Sequence, residues 1–314
     1  MPGVMVVGSV NMDIVSRVEH FPARGETIAA RDTVFILGGK GANQATAAVR
    51  CGAAVRMIGA VGDDVFGQAL AASLHNDGID ISGLVVKQGV TSGCAIITVD
   101  ELGQNSIVVS SGANGNLEES DLQAEYFTGF DVLLLQNEVP WSVTKRALQS
   151  AKDRGMTILY NPSPVIFVDS VRAILSQIDY LFVNEHEAAS LSGCHVSSPQ
   201  SAAQVATVLR KLGARAVVVT LGDQGAVLQT EHAQTYHVPA QCVNVVDTTA
   251  AGDTMIGAFV ARHLAGHSML DALVWASAAA ALCVSRSGAQ SSIPTFAQIT
   301  TFLSQTSAPP VQLI

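Results

Sequence analysis

The chain has 314 residues, 48% hydrophobic and 14% charged, which supplies a large α/β core and excludes a disordered chain. A formal charge of -9 with no Lys/Arg-rich run argues against nucleic acid as the main partner. The 5 cysteines are scattered, with no C-x-x-C pair, which argues against a disulfide framework or zinc site and fits a reducing cytoplasm.

The opening "MPGVMVVGSV" lacks the basic start of a signal peptide, and "VMVVGSV" reads as a buried strand. "DIVSRVEHFPARGETIAARDTVFIL" follows with turn signals and alternation but no long helix. "GANQATAAVRCG" is a helix ending at a glycine, "VRMIGAV" a strand, and "VFGQALAASLHNDG" a helix. "TSGCAIITVDELGQNSIVVSSGAN" reads as a hairpin with "ELGQN" at its turn. Beyond it come the strand "DVLLLQ", the helix "WSVTKRALQSAKDRG", and the strands "TILYNPSP", "DYLFVNE" and "AVVVTLG", with the helix "SAAQVATVLRKLG" between the last two. "CVNVV" reads as a further strand, feeding the helix "MIGAFVARHL" through the cluster "DTTAAGDT". "WASAAAALCV" is too short to span a bilayer, so a soluble protein without a membrane partner is expected.

Strands apolar on both faces, alternating with helices, predict a three-layer, doubly wound, mostly parallel α/β sheet in a single domain over 1–314. The two irregular stretches, approximately 12–37 and 91–112, predict a small β-sheet lid over one edge. There is no P-loop, no protein-kinase set, no H-E-x-x-H and no G-x-S-x-G. One glycine in "GSVNMD" does not make a dinucleotide fingerprint.

The remaining polar clusters sit at strand ends. In "GSVNMD", Asn11 and Asp13 either bracket a polyol's hydroxyls or form an Asx turn. In "GGKGANQA", Gly39 lets the backbone approach closely, with Lys40 and Asn43 at a helix start that suits a polar ligand or is an ordinary helix entry. In "NEHEA", Asn184 and Glu187 either hold hydrated Mg²⁺ or form a capping box, and the two roles are compatible. In "TLGDQGA", Thr220, Gly222 and Gly225 make a tight turn, open enough for a nucleotide to lie against. In the late cluster, Ala250, Ala251 and Gly252 leave amides exposed at a helix N-terminus, an anion hole. Asp253 in the same turn either complements the helix dipole or takes a proton from an attacking hydroxyl.

In combination and in order, "GSVNMD", "GGKGANQA", "NPSP", "NEHEA", "TLGDQGA", "VDTTAAGDT" and "RSGAQSSIP" resemble the ribokinase family of carbohydrate kinases over essentially the whole chain. The resemblance implies transfer of the ATP γ-phosphoryl group to the 5-hydroxyl of D-ribose. Asp253 would be the base and the amides of Ala250 to Asp253 the anion hole. Asn11, Asp13, Gly39, Lys40, Asn43 and Glu138 would bind sugar, with Ala95 and Ile97 covering it from the lid. Asn184, Thr220, Gly222, Gly225, Gly252 and Ser277 would serve ATP, and Glu187 would order Mg²⁺ through water. Asp247, Thr249, Cys283, Arg286, Gly288 and Ser292 match a potassium site, several through carbonyls.

Three positions depart from common family residues: Ala250 for glycine, Met255 for phenylalanine, and Ser277 for a histidine or asparagine near the adenine. Asp247 serves either as a turn cap or, with the carbonyls of "SRSGAQSS", as a ligand of a large monovalent cation. Exposed lid edges point to a homodimer through the lid. The alternatives are another sugar or nucleoside kinase of this family, such as a deoxyribokinase, and a non-catalytic sugar-binding regulator.

Overall fold

Strand β1 (Gly3–Val7) is buried along its whole length and lies between two parallel neighbours. Its alternate residues enter two separate apolar layers, Val4 and Val6 on one face and Met5 and Val7 on the other. That is why the run is apolar throughout and does not alternate. The structure, a computed structural model, describes residues 3–306 and 309–314.

After β1 come β2 (Asn11–Arg17), β3 (Asp32–Gly38), α1 (Lys40–Arg50), β4 (Ala54–Gly62), α2 (Val65–Asn76), β5 (Asp80–Lys87), β6 (Gly93–Val99) and β7 (Asn105–Ser110). Next are β8 (Val132–Leu135), α3 (Trp141–Lys152), β9 (Thr157–Tyr160), α4 (Val168–Ile174), β10 (Tyr180–Asn184), α5 (Glu185–Ser192), α6 (Pro199–Lys211) and β11 (Ala216–Thr220). The chain closes with β12 (Ala226–Gln229), β13 (Thr235–Val238), α7 (Ala251–Leu264), α8 (Met269–Val284), α9 (Phe296–Gln305) and β14 (Gln312–Leu313).

The main sheet runs β14-β13-β12-β11-β10-β9-β8-β1-β4-β5. It is parallel from β11 to β5 and antiparallel from β11 to β14. The order reverses at β1, which pairs with β4 on one side and β8 on the other, and such a switch point opens a crevice beyond the strands' carboxyl ends. Residues of α1, α7 and α8 fill one face of the sheet, and residues of α3, α5 and α6 the other. Helices α1 and α7 pack without a gap. A Cβ added at Gly257 would stand 2.5 Å from both the Ala47 Cβ and the Gln44 carbonyl oxygen.

The second sheet has the order β3-β2-β6-β7 and is built from the two irregular stretches of the sequence. Its outer pairs are antiparallel and its central pair, β2 with β6, is parallel. The predicted turn "ELGQN" joins β6 to β7. One expected strand does not form: "CVNVV" is irregular, and Val245 and Val246 are 59% and 56% exposed. The Val246 and Asp247 amides instead both donate to the Val284 carbonyl at the end of α8 (2.8 and 3.2 Å), so the run hangs on a helix terminus with no strand beside it.

Candidate active site

At the switch point lies a cavity of about 710 Å³ between the two sheets. Asn11 and Asp13 enter it from β2, because residues two apart on a strand share a face. They are therefore strand residues and not an Asx turn. Ala95 and Ile97 reach it from β6 by the same period, opposite Asp13 and Val15 in the parallel register. Gly39, with φ +88°, turns the chain from β3 into α1, and a Cβ there would meet the Asn11 amide nitrogen at 2.7 Å. The turn delivers Lys40 and Asn43 to the cavity, and Glu138 joins them from the loop after β8.

The polar atoms here are fixed before any ligand arrives. Asn114 donates to the Asn11 side-chain oxygen (2.7 Å) and accepts from the Val10 amide (2.9 Å). With its oxygen occupied, Asn11 has its NH₂ left to offer a ligand. Glu138 accepts from the Ser9 hydroxyl and from the Lys40 amide (3.1 Å). Burial, then the nearby Glu138 and Asp253, pushes the Asp13 carboxyl up to about 7. Burial works against the Lys40 charge, but Asp253, Glu138 and Glu187 outweigh it and raise its pKa above the usual lysine value.

Asp253 is buried in the first turn of α7, with Oδ2 accepting from Asn43 (3.0 Å) and Oδ1 from Gln44 (2.9 Å). Ahead of it, Ala250 is the N-cap in the left-handed conformation (φ 60°, ψ 9°), and no side chain caps the helix. Among the described residues, the Gly252 and Asp253 amides have no hydrogen-bond acceptor. Open N–H groups at a helix N-terminus, beside a carboxylate at the wall of the cavity, suit a transferring anion and its attacking hydroxyl. The left-handed backbone at Ala250 also gives a physical reason for glycine to be common there.

Asn184 and Thr220 are register partners at the ends of β10 and β11. Asn184 and Glu187 form the expected capping box, each side chain accepting from the other's amide (2.9 and 3.0 Å). Among the described residues, Oε2 is the Glu187 carboxylate oxygen with a hydrogen-bond partner. Gly222 and Gly225 shape the turn after β11, both with positive φ. Asn184, Thr220, Gly222 and Gly225 lie at or just past the ends of β10 and β11, outside the lining of the cavity, and Ser277, buried within α8, is also outside it.

Asp247 joins the two loops that the sequence pairs. Its carboxylate accepts from the Thr249 amide (2.9 Å) and from the Gly288 amide (3.0 Å). Burial opposes its charge, yet the bonds from Thr249 and Gly288 and the distant Arg17 hold its carboxyl below the usual range. Cys283 is buried, with Sγ 3.6 Å from the Thr249 carbonyl and 3.0 Å from the Ser292 hydroxyl. The Arg286 guanidinium turns away to Gln298 (3.2 Å), so only the backbone of Arg286 is available to a cation. The Asp247 carboxylate, the Ser292 hydroxyl and the Thr249 carbonyl are oxygen donors of the kind a large monovalent ion takes.

Sequence reading missed Gln44, Gln136 and Asn161, which form a buried amide chain ending on Asp253. It also missed Asn114 and Ser9. Gln44 and Asn161 do lie inside the quoted motifs, "GGKGANQA" and "NPSP", which was the one available signal.

The family described as pfkB family carbohydrate kinase matches residues 1–296. The chain is 38% identical over 311 residues to ribokinase of Schizosaccharomyces pombe, covering 95% of this chain and 97% of the relative. It is 39% identical over 300 residues to ribokinase of Haemophilus influenzae, again covering 95% and 97%. A solved structure of Arabidopsis thaliana ribokinase complexed with ribose and ATP superposes with a TM-score of 0.87 at 30% identity, covering 96% of this chain and 98% of that one.

Proposed function

Since this chain belongs to the pfkB family of carbohydrate kinases, we propose that it is an ATP-dependent ribokinase acting on the 5-hydroxyl of D-ribose. The observation that carries the reading is Asp253, oriented by two amides beside the unpartnered Gly252 and Asp253 N–H groups, in a cavity whose wall sets Asn11, Asp13, Lys40, Asn43 and Glu138 among apolar residues of the second sheet. In the reaction the sugar oxygen bonds to the γ-phosphorus, the bond to the β-phosphate oxygen breaks, Asp253 takes the hydroxyl proton, and ADP leaves. The open amides of Gly252 and Asp253 meet the charge on the transferring group, Ala250 and Ala251 shape the turn with the Ala251 amide donating to the Thr248 carbonyl (3.3 Å), and Lys40 adds a cation. Such transfer depends mostly on positioning and charge neutralisation.

Asn11 donates and Asp13 accepts at the sugar's secondary hydroxyls, with Gly39, Asn43 and Glu138 completing the polar contacts. Asn184, Thr220, Gly222, Gly225, Gly252 and Ser277 serve the nucleotide. Glu187 holds Mg²⁺ through water, and the ion's chemistry is to neutralise phosphate charge. Asp247, Thr249, Cys283, Arg286, Gly288 and Ser292 hold K⁺, which braces the loop leading into the anion hole.

The chain acts as one domain over 1–314, in which segments 12–37 and 91–112 are a lid that excludes water. It forms a homodimer through that lid in the cytoplasm. Supporting the dimer, β7 is an edge strand, and Val108, on the strand face opposite Ile107 and Val109 that line the cavity, is 63% exposed.

The test is ADP release over a panel of ribose, 2-deoxyribose, hexoses and nucleosides with ATP and Mg²⁺. Ribose is expected to lead in kcat/KM, since a site that pairs a hydroxyl discriminates strongly against its loss. Equal use of 2-deoxyribose would move the reading to the deoxyribokinase alternative, and no turnover of any acceptor would overturn it.

A further inference from the structure

Asp253 lies at the end of a chain of neutral amides anchored through Asn161 at the Phe182 carbonyl, while Gln136 Oε1 at its other end is buried without a partner among the described residues. Gln44 is fully buried on α1. One of its N–H bonds goes to Asp253 Oδ1 (2.9 Å) and the other to Asn161 Oδ1 (3.3 Å). Its oxygen accepts from Gln136 Nε2 (2.6 Å), and Asn161 in turn donates to the Phe182 carbonyl (3.0 Å). Were the Gln44 amide flipped, its oxygen would face a carboxylate on one side and a carbonyl on the other, while the Gln136 donor would face an N–H. The chain therefore admits one orientation. It spans α1, β10 and the ends of β8 and β9, so the carboxylate's rotation is set by the sheet itself.

We propose that Gln44, locked by Gln136 and Asn161, is a positioning residue that aims the Asp253 carboxylate at the reacting hydroxyl. The proposal rests on the reading of Asp253 as base. An amide suits the task because it removes one lone pair from Oδ1, leaves the second, and adds no positive charge that would weaken the base. Asn43 does the same at Oδ2 from the cavity side. The charged groups sharing this field are Asp13, on β2, and Lys40, on α1. The Cys283 thiol on α8 lies in the same field.

The experiment compares wild type, Asp253→Asn, Gln44→Leu, Gln44→Glu and Gln136→Leu for kcat, Tm, and ribose affinity by calorimetry. Gln44→Leu is expected to lower kcat by about 10- to 100-fold while ribose Kd changes by less than about threefold. Gln44→Glu, which sets a second carboxylate against Asp253, should lose at least as much kcat with ribose Kd again nearly unchanged. Gln136→Leu, which touches neither Asp253 nor the cavity, gives a smaller loss of the same kind and carries the test if the Gln44 variants do not fold. A merely structural glutamine would lower Tm and leave kcat of the folded protein in place. Folded variants with kcat within about twofold of wild type, or with ribose Kd weakened in parallel with kcat, overturn the proposal alone, provided Asp253→Asn is inactive. An inert wild type, or a fully active Asp253→Asn, overturns the functional reading and this proposal with it.

Discussion

Replacing Asp13 with asparagine should stabilise the unliganded protein, and by an amount that depends on pH. In the unfolded chain this carboxyl loses its proton near its ordinary 3.8, whereas in the folded one it keeps it until about 7. Between those values the folded state binds more protons, so ionisation of Asp13 costs stability as pH rises, and the full cost is present above 7. The span corresponds to a ceiling of about 4 kcal/mol, and water in the cavity screens it to roughly 2 kcal/mol. The assay is thermal unfolding of wild type and Asp13→Asn from about pH 4.5 to about pH 8 without sugar. The variant should gain a few degrees of Tm at the upper end and nearly nothing at the lower. Ribose affinity should follow the opposite trend: in wild type it tightens through neutrality as Asp13 becomes a better acceptor, and in the variant it is weak and flat. A Tm gain equal at both ends, or none at high pH, would refute the assignment of the raised pKa to burial against Glu138 and Asp253.

Three further outcomes follow from the loops around α7. Potassium should raise kcat/KM well above its value in sodium buffer, and Asp247→Ala should blunt the response; equal rates in potassium-free buffer would leave Asp247 as a turn residue. Ala250→Gly should raise stability by about 1 kcal/mol by relieving a left-handed alanine, read by chemical denaturation, and a loss would mean the added chain entropy dominates. Gly252→Ala should fold normally, since no atom of the described residues beyond its own turn of α7 lies within 4 Å of the added Cβ, yet its kcat should fall by about tenfold or more if that space receives phosphate. Unchanged kcat in Gly252→Ala would remove the anion hole from this turn.

The parallel sheet was legible because each buried strand is a short apolar run ending in polar turn residues, as "DYLFVNE" does. The "ELGQN" hairpin was legible from its turn chemistry. "CVNVV" misled because β-branched residues signal a strand only if a neighbour pairs with it, and here the acceptor is the terminus of α8. The parallel contact of β2 with β6 was not legible, since register between distant segments leaves no local trace. Asp253 stood out because small residues and an acid break an apolar stretch. Its support did not: Gln44 lies 209 residues from it, and Gln136 lies 92 from Gln44. Gln44 follows Asn43 in the early turns of α1 and Gln136 precedes Asn137 just past β8, where a polar residue reads as part of a helix entry or a turn.

The missing methyl at Gly257 sets a limit on how this enzyme can be improved. Replacing a mid-helix glycine with alanine ordinarily stabilises a protein, and a consensus or thermostabilisation scheme would try it early. At this position the new methyl would collide with Ala47 and the Gln44 backbone, and wedge α1 away from α7. Those are the two helices that carry the amides and the carboxylate they hold, so the displacement would be delivered to the reacting atoms. Thermal hardening of this chain has to be sought elsewhere, because here the spacing between two helices is also the calibration of the catalyst.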